Sequence, residues 1–177
     1  MLPTVRRMLP EVSLNVHLVV EGHSLDESID WIHSSDLSDP TPFLGPGQML
    51  LTTGTQFENY ASQDDFDAYV GRLKVRGVIA VGFGTEVVRS GTPPELITSC
   101  EALGLPLIEV PYRTPFIALV RWAADLIVRA EREREDWSLS TQRAISLAAV
   151  GQRGLAGVLT VPATHLCCRI AIFESDG

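Results

Sequence analysis

From Gln48 to Val110 the chain alternates short apolar runs with amphipathic segments, and that alternation limits the available folds sharply. Gln48–Thr52 is the first apolar run and ends in Thr52-Thr53-Gly54. The spacing then predicts a helix capped by Ser62, with Asp65 three residues on and Phe66, Tyr69, Val70 and Leu73 along one buried stripe. Gly77 ends it, and Val78-Ile79-Ala80-Val81 reads as a continuous apolar strand closing on Gly82-Phe83-Gly84. Pro93 and Pro94 open a second helix, Glu95 to Leu103, with Gly104 as C-cap, and Leu105–Val110 makes the next strand. Strands separated by helices at this spacing form βαβ units, which pair in parallel through right-handed crossovers. The expected fold class is α/β: an open, mostly parallel sheet with a long C-terminal helical extension.

Upstream, Thr4 is placed to cap a short helix over Val5–Leu9 that Pro10 stops. His17–Val20 reads as a strand. Ser28–His33 reads as another, with Ile29, Trp31 and His33 on one face and Ser28, Asp30 and Ile32 on the other. Asp39-Pro40-Thr41-Pro42 and Gly45-Pro46-Gly47 break the chain after it.

Downstream of Pro115 a helix begins apolar on nearly all sides and turns into the charge run Arg129–Asp136, with opposite charges three or four residues apart. Trp137 is expected to break this run, Ser138 or Ser140 to cap a new helix, and Ala144, Ile145, Leu147 and Ala148 to supply its apolar face. Phe116, Leu119, Trp122, Leu126 and Ala130 are the candidate dimer-interface residues; packing of this helix on its own sheet is the competing expectation. The division expected is an α/β domain over 1–114, a helical coupling or dimerisation segment over 115–150, and the start of a following domain over 151–177. The last rests on a strand at Cys168–Phe173 and the hairpin-type pair Asp176-Gly177, with no partner strand after it.

The functions excluded are many. Fourteen basic against 22 acidic side chains give a formal charge of −8, the wrong sign for a phosphate-binding face. Hydrophobic residues make up 45% and charged ones 20%, enough apolar surface for a core and against a disordered tail. No stretch approaches the roughly 18 uninterrupted apolar residues of a membrane span. The N-terminus lacks an apolar segment with a cleavage site, so a cytoplasmic location is expected. Cys100, Cys167 and Cys168 have neither disulfide nor zinc spacing, although adjacent Cys167 and Cys168 leave a redox role open. There is no P-loop, Gly82-Phe83-Gly84 lacks the third glycine of a dinucleotide fingerprint, and His17, His23, His33 and His165 have no metal-binding spacing. No nucleophile elbow appears, so no enzyme, catalytic residue, metal or cofactor is expected.

What remains is topological. In open parallel sheets, ligands bind outside the carboxyl ends of the strands. The readable ends are Thr52-Thr53-Gly54, Gly82-Phe83-Gly84 and Pro111-Tyr112-Arg113-Thr114. Thr52, Thr53, Gly54, Phe83, Gly84, Arg113 and Thr114, with His33, are therefore the candidate ligand-binding residues for a small polar molecule. Glycine and threonine at a strand end serve turn geometry equally well, and His33-Ser34-Ser35-Asp36 can face a ligand or cap the next turn.

Five phrases occur together: Val19-Val20-Glu21-Gly22, Trp31 to Pro40, Phe43-Leu44 to Gly47, Leu50-Leu51-Thr52-Thr53-Gly54 and Gly104 to Pro111. On these the sequence resembles, over roughly Leu2 to Arg129, the N-terminal domain of PucR-type (purine catabolism regulator) bacterial transcription factors. Asp36 departs from the glutamate expected there, a shorter carboxylate of the same charge. The resemblance implies a sensor for a small purine-catabolism or related nitrogen metabolite, acting through a homodimer. DNA would be read by a helix-turn-helix beyond Gly177. The Leu-Thr-Thr-Gly stretch and the βαβ units also look like the small regulatory domains attached to HPr kinase and phosphotransacetylase. A ligand-free dimerisation module that positions the downstream domains is the alternative.

Overall fold

Along the third strand, Met49 and Leu51 are buried on one side of the sheet and Leu50 on the other, the period of two that a pleated backbone imposes. A strand buried on both faces must be covered by two layers, and it is. The computed structural model describes residues 2–60, 62–150, 158–160, 163–164 and 169–170. Its elements are α1 (Val5–Met8), β1 (His17–Val20), β2 (Trp31–Ser34), β3 (Gln48–Thr52), α2 (Gln63–Arg76), β4 (Ala80–Gly84), α3 (Pro94–Leu103), β5 (Leu107–Val110) and α4 (Phe116–Val150). Short 3-10 turns lie at Thr41–Phe43 and Thr55–Asn59.

The five strands form one sheet in the order β1-β5-β4-β3-β2. β2, β3, β4 and β5 run parallel, and β1 closes the far edge antiparallel to β5, with His17 opposite Glu109. α2 and α3 cover one face, where Phe66, Tyr69, Val70, Leu73, Leu96 and Cys100 pack on Leu50, Val81, Phe83 and Leu107. α1 and the first turns of α4 cover the other, where Val5, Met8, Leu119 and Ala123 pack on Met49, Leu51, Ala80, Ile108 and Val110. The expected α/β architecture is present. So is the capping box: Asp65 Oδ2 accepts from the Ser62 amide at 3.0 Å, and Gly77 and Gly104 end α2 and α3 as C-caps.

Three expectations need correction. β2 begins at Trp31, not Ser28, because the Ile29 amide donates to the Pro3 carbonyl, away from the sheet ladder. Within the strand Ile32 is buried, while Trp31, on the opposite face, is 48% exposed. β4 closes on Gly82-Phe83-Gly84 as expected, but it begins at Ala80, not Val78. α4 is also continuous through Trp137. Tryptophan is an ordinary helix residue, and Ser140 does not cap a new helix: its Oγ donates to the Trp137 carbonyl at 2.8 Å, one turn back.

The chain divides into compact units at Val128/Arg129, so the first turns of α4 belong to the α/β unit. Leu119, a candidate dimer contact, is fully buried in that unit's own core, with Phe116 and Trp122 packed against the same cluster. Leu119 has no surface left for a partner. Leu126 and Ala130 are half-buried. The strand expected over Cys168–Phe173, Arg169 and Ile170 apart, lies outside the described residues, as do Asp176-Gly177 and the Cys167–Cys168 pair. Among the described residues no helix is long and apolar enough to cross a membrane, and no cluster of His, Cys, Asp or Glu has metal-site geometry.

Candidate functional site

Because β2 to β5 are parallel and adjacent, their carboxyl ends, Ser34, Thr52, Gly84 and Val110, lie side by side. Thr52 pairs with Phe83 and Gly84 with Val110 across this edge. The sheet thus brings Thr52, Thr53, Gly54, Phe83 and Gly84 together, with Arg113 and Thr114 on the loop that follows β5.

Asp36 organises the threonines. Its Oδ1 accepts from Thr52 Oγ1 and from the Thr53 amide, both at 2.7 Å, and its Oδ2 accepts from Thr53 Oγ1 at 2.6 Å. Thr52 Oγ1 in turn accepts from Gln56 Nε2 at 2.9 Å and the Gly54 amide at 3.2 Å. A hydroxyl has one proton and two lone pairs, so that of the fully buried Thr52 is saturated by protein. Gln56 Nε2 passes the network on to Tyr69 OH at 3.1 Å. Burial pushes the Tyr69 hydroxyl well above its ordinary pKa, and the Gln56 hydrogen bond offsets only part of that. Gly54 adopts φ +83°, and a Cβ on it would stand 2.6 Å from the Phe83 ring. Here, then, threonine and glycine make a carboxylate-centred turn. The signal for it is Asp36 itself, the polar residue after β2; Gln56 and Tyr69 give no signal, since both look like ordinary surface and stripe positions.

Phe83 is fully buried and stacks on Phe57 with centroids 6.3 Å apart. Gly84 serves helix docking, because a Cβ there would meet Phe116 Cζ at 2.9 Å. The bare backbone at the end of β4 is the seat of the first residue of α4. Thr114 Oγ1 donates to the Leu14 carbonyl at 2.8 Å and ties the start of α4 to the N-terminal segment. Arg113 is exposed and, among the described residues, has no acidic partner. His33 is half-buried on the edge strand β2.

On the α2–α3 side of the same edge is a cleft of about 380 Å³, which the sequence does not indicate. Phe57, Tyr60 and Phe66 line it, their centroids 5.0–5.2 Å apart in tilted and edge-on contacts. Arg89, from the loop between β4 and α3, and Glu95, in the first turn of α3, also line it. Beside it a clasp joins the helices: Asp67 Oδ1 on α2 accepts from Ser99 Oγ on α3 at 2.5 Å and from Gln63 Nε2 at 2.9 Å. The Ser99 hydrogen bond, then that of Gln63, holds the Asp67 carboxyl below its ordinary pKa. The Cys100 thiol next to Ser99 is pushed up to about 12 by burial and is unreactive as a nucleophile.

Over 124 residues the chain is 29% identical to the transcriptional activator PmfR of Paenarthrobacter nicotinovorans, an alignment covering 68% of this chain and 25% of that protein. The chain thus spans about a quarter of that curated relative. Among solved structures it is similar to the CBS and DRTGG domains of the regulatory region of Clostridium perfringens pyrophosphatase complexed with diadenosine tetraphosphate. That likeness has a TM-score of 0.42 and 12% identity, over 71% of this chain and 46% of the other. Residues 8–127, which hold the whole sheet, α2, α3 and α4 up to its third turn, match the purine catabolism regulatory protein-like (PucR) family, and the chain belongs to that family.

Proposed function

We propose that this chain is the effector-sensing segment of a bacterial transcription regulator working in the cytoplasm. A small purine-catabolism or related nitrogen metabolite binds at the carboxyl edge of the sheet, and occupancy is relayed through α4 to a DNA-binding domain outside these residues. Family membership and the relation to a transcriptional activator support the regulatory class. The observation that carries the relay is the seating of Phe116 on Gly84, which joins a strand end directly to the start of a 35-residue helix. Of the edge residues, Arg113, His33 and Thr53 retain exposed or half-exposed polar groups for contact, while Thr52, Gly54, Phe83, Gly84 and Thr114 shape the surface beneath them. Dimerisation uses the half-buried Trp122, Leu126 and Ala130.

A ligand that binds two states equally shifts nothing, and moving a 1:99 population to 99:1 takes about 5.5 kcal/mol of differential affinity. A small effector must therefore act on a poised equilibrium. The test is calorimetry of the 177-residue chain against a panel of purine catabolites, with Arg113→Ala assayed for induction in the intact regulator. Binding by one compound and loss of induction are expected. Silence across the panel, with a concentration-dependent dimer in sedimentation, would favour a ligand-free dimerisation module.

A further inference from the structure

The geometry points to the cleft between α2, α3 and the β4–α3 loop as a binding site for a small planar aromatic carboxylate that also carries an N–H donor. This assignment rests on reading the carboxyl edge as effector-facing, and it names the ligand class and the residues that select it. Three observations combine. The floor is rigid: Phe57 and Phe66, at 2% and 4% exposure, brace Tyr60 in edge-on and tilted contacts, and the half-buried Tyr60 ring is the apolar surface the cleft offers to one flat ring. The rim is charged on both signs without being neutralised. Arg89 and Glu95 line one cleft, yet among the described residues neither has an ion-pair partner. A guanidinium with open donors takes a carboxylate by two parallel hydrogen bonds, and a carboxylate opposite it accepts an N–H. The volume, about 380 Å³, falls at the small end of the roughly 300–1,000 Å³ typical of small-molecule sites, which suits one or two fused rings.

The loop that presents Arg89 follows directly on Gly84. It is held by the Glu86 amide donating to the Arg89 carbonyl at 2.8 Å, with Glu86 at φ +63°, a conformation few side-chain-bearing residues adopt. It also leaves Val87 52% exposed. A ligand gripped by Arg89 therefore acts on the residues that adjoin the seat of Phe116.

The probe is 4-aminobenzoate, added at millimolar concentrations to the whole 177-residue chain, with binding read by calorimetry and by amide chemical shifts. Binding is expected to shift the resonances of Phe57, Tyr60 and the Glu86–Ser90 loop. Arg89→Ala, an exposed loop substitution that leaves the core intact, should weaken it by about tenfold, the loss of one charge-assisted pair, with Arg89→Lys intermediate. 4-Aminobenzamide, without the charge, and cyclohexanecarboxylate, without the ring, should each bind more weakly than the probe. Absence of binding, shifts confined to other surfaces, or equal affinity in Arg89→Ala would overturn the assignment. Arg89-dependent binding of the probe, with every edge ligand leaving transcription by the intact regulator unchanged, would uphold the cleft and sink the sensor function. A metabolite that alters transcription equally in wild type and Arg89→Ala would uphold the sensor function and sink the cleft.

Discussion

A single carboxylate decides what the threonine pair can do. Asp36 engages both Thr52 and Thr53 through hydrogen bonds to a carboxylate, the kind with a net worth of about 1.5–3 kcal/mol each, reduced here because Asp36 is exposed. Removing it leaves the Thr52 hydroxyl buried without its acceptor. Asp36→Ala is expected to destabilise the chain by about 1–3 kcal/mol in urea unfolding. Thr52→Val should cost a similar amount, since it removes one of the two acceptors of the buried Gln56 Nε2 group and a partner of Asp36. The two share one interaction, so the double variant should lose less than the sum of the singles. Strict additivity would mean that Asp36 and Thr52 do not act as a pair. Asp36 is visible in the sequence as a polar residue after a strand, and the choice between capping and ligand contact is not. It depends on β2 and β3 being neighbours, which places residues 16 positions apart within 2.7 Å.

At the scale of elements, the docking of α4 on β4 depends on the absence of a side chain. Gly84→Ala puts a methyl against the Phe116 ring and should destabilise by about 1–3 kcal/mol, with partial recovery when Phe116→Leu is added to make room. No recovery would show that the strain lies in the backbone and not at that contact. The α2–α3 clasp makes a pH-dependent contribution whose sign follows from the lowered Asp67 pKa. A carboxylate whose folded pKa is depressed adds stability above its unfolded value of about 3.9, and that increment disappears as pH falls through the folded pKa. Asp67→Asn should therefore lower stability at pH 7, where the increment is fully present, by a small amount because the carboxylate is exposed, and should converge on wild type as pH falls through the folded pKa. The element order is legible because apolar runs, the Ser62–Asp65 box and the terminal glycines are local signals. The features that are not legible have other causes. Gly82 and Gly84 are legible as a strand end, but that their bare faces take Leu51 and Phe116 is not. The start of β2 is hidden because the backbone partner of Ile29 is the distant Pro3. At Trp137 a change in composition is not a change in backbone.

For the molecule as a whole, the boundary that matters is Val128 and not Thr114. The −8 charge argues against nucleic-acid binding by these residues alone, and the proposed function therefore depends on how much of α4 belongs to the α/β unit. Composition places the charged run Arg129–Asp136 outside the apolar stretch, but it cannot say which apolar residues belong to the sheet. The structure does: Leu119 and Ala123 are core residues of the α/β unit, at 0% and 2% exposure. Fully burying one leucine is worth about 1.5–3 kcal/mol, and removing the first turns of α4 also uncovers Ile108, Val110 and Met49. Domain stabilities are only about 5–15 kcal/mol, so that loss is a large fraction of the whole. A chain ending at Thr114 is therefore expected to unfold without a cooperative transition and to aggregate. One ending at Val128 should keep a single sharp transition and the circular dichroism of a folded α/β domain. Sedimentation of the Val128 chain beside the full one then isolates the dimer contribution of the charged and distal parts of α4, because the core is intact in both. If the Thr114 chain folded cooperatively with undiminished stability, the first turns of α4 would be an appendage, and the relay from Gly84 through Phe116 would lose its physical basis.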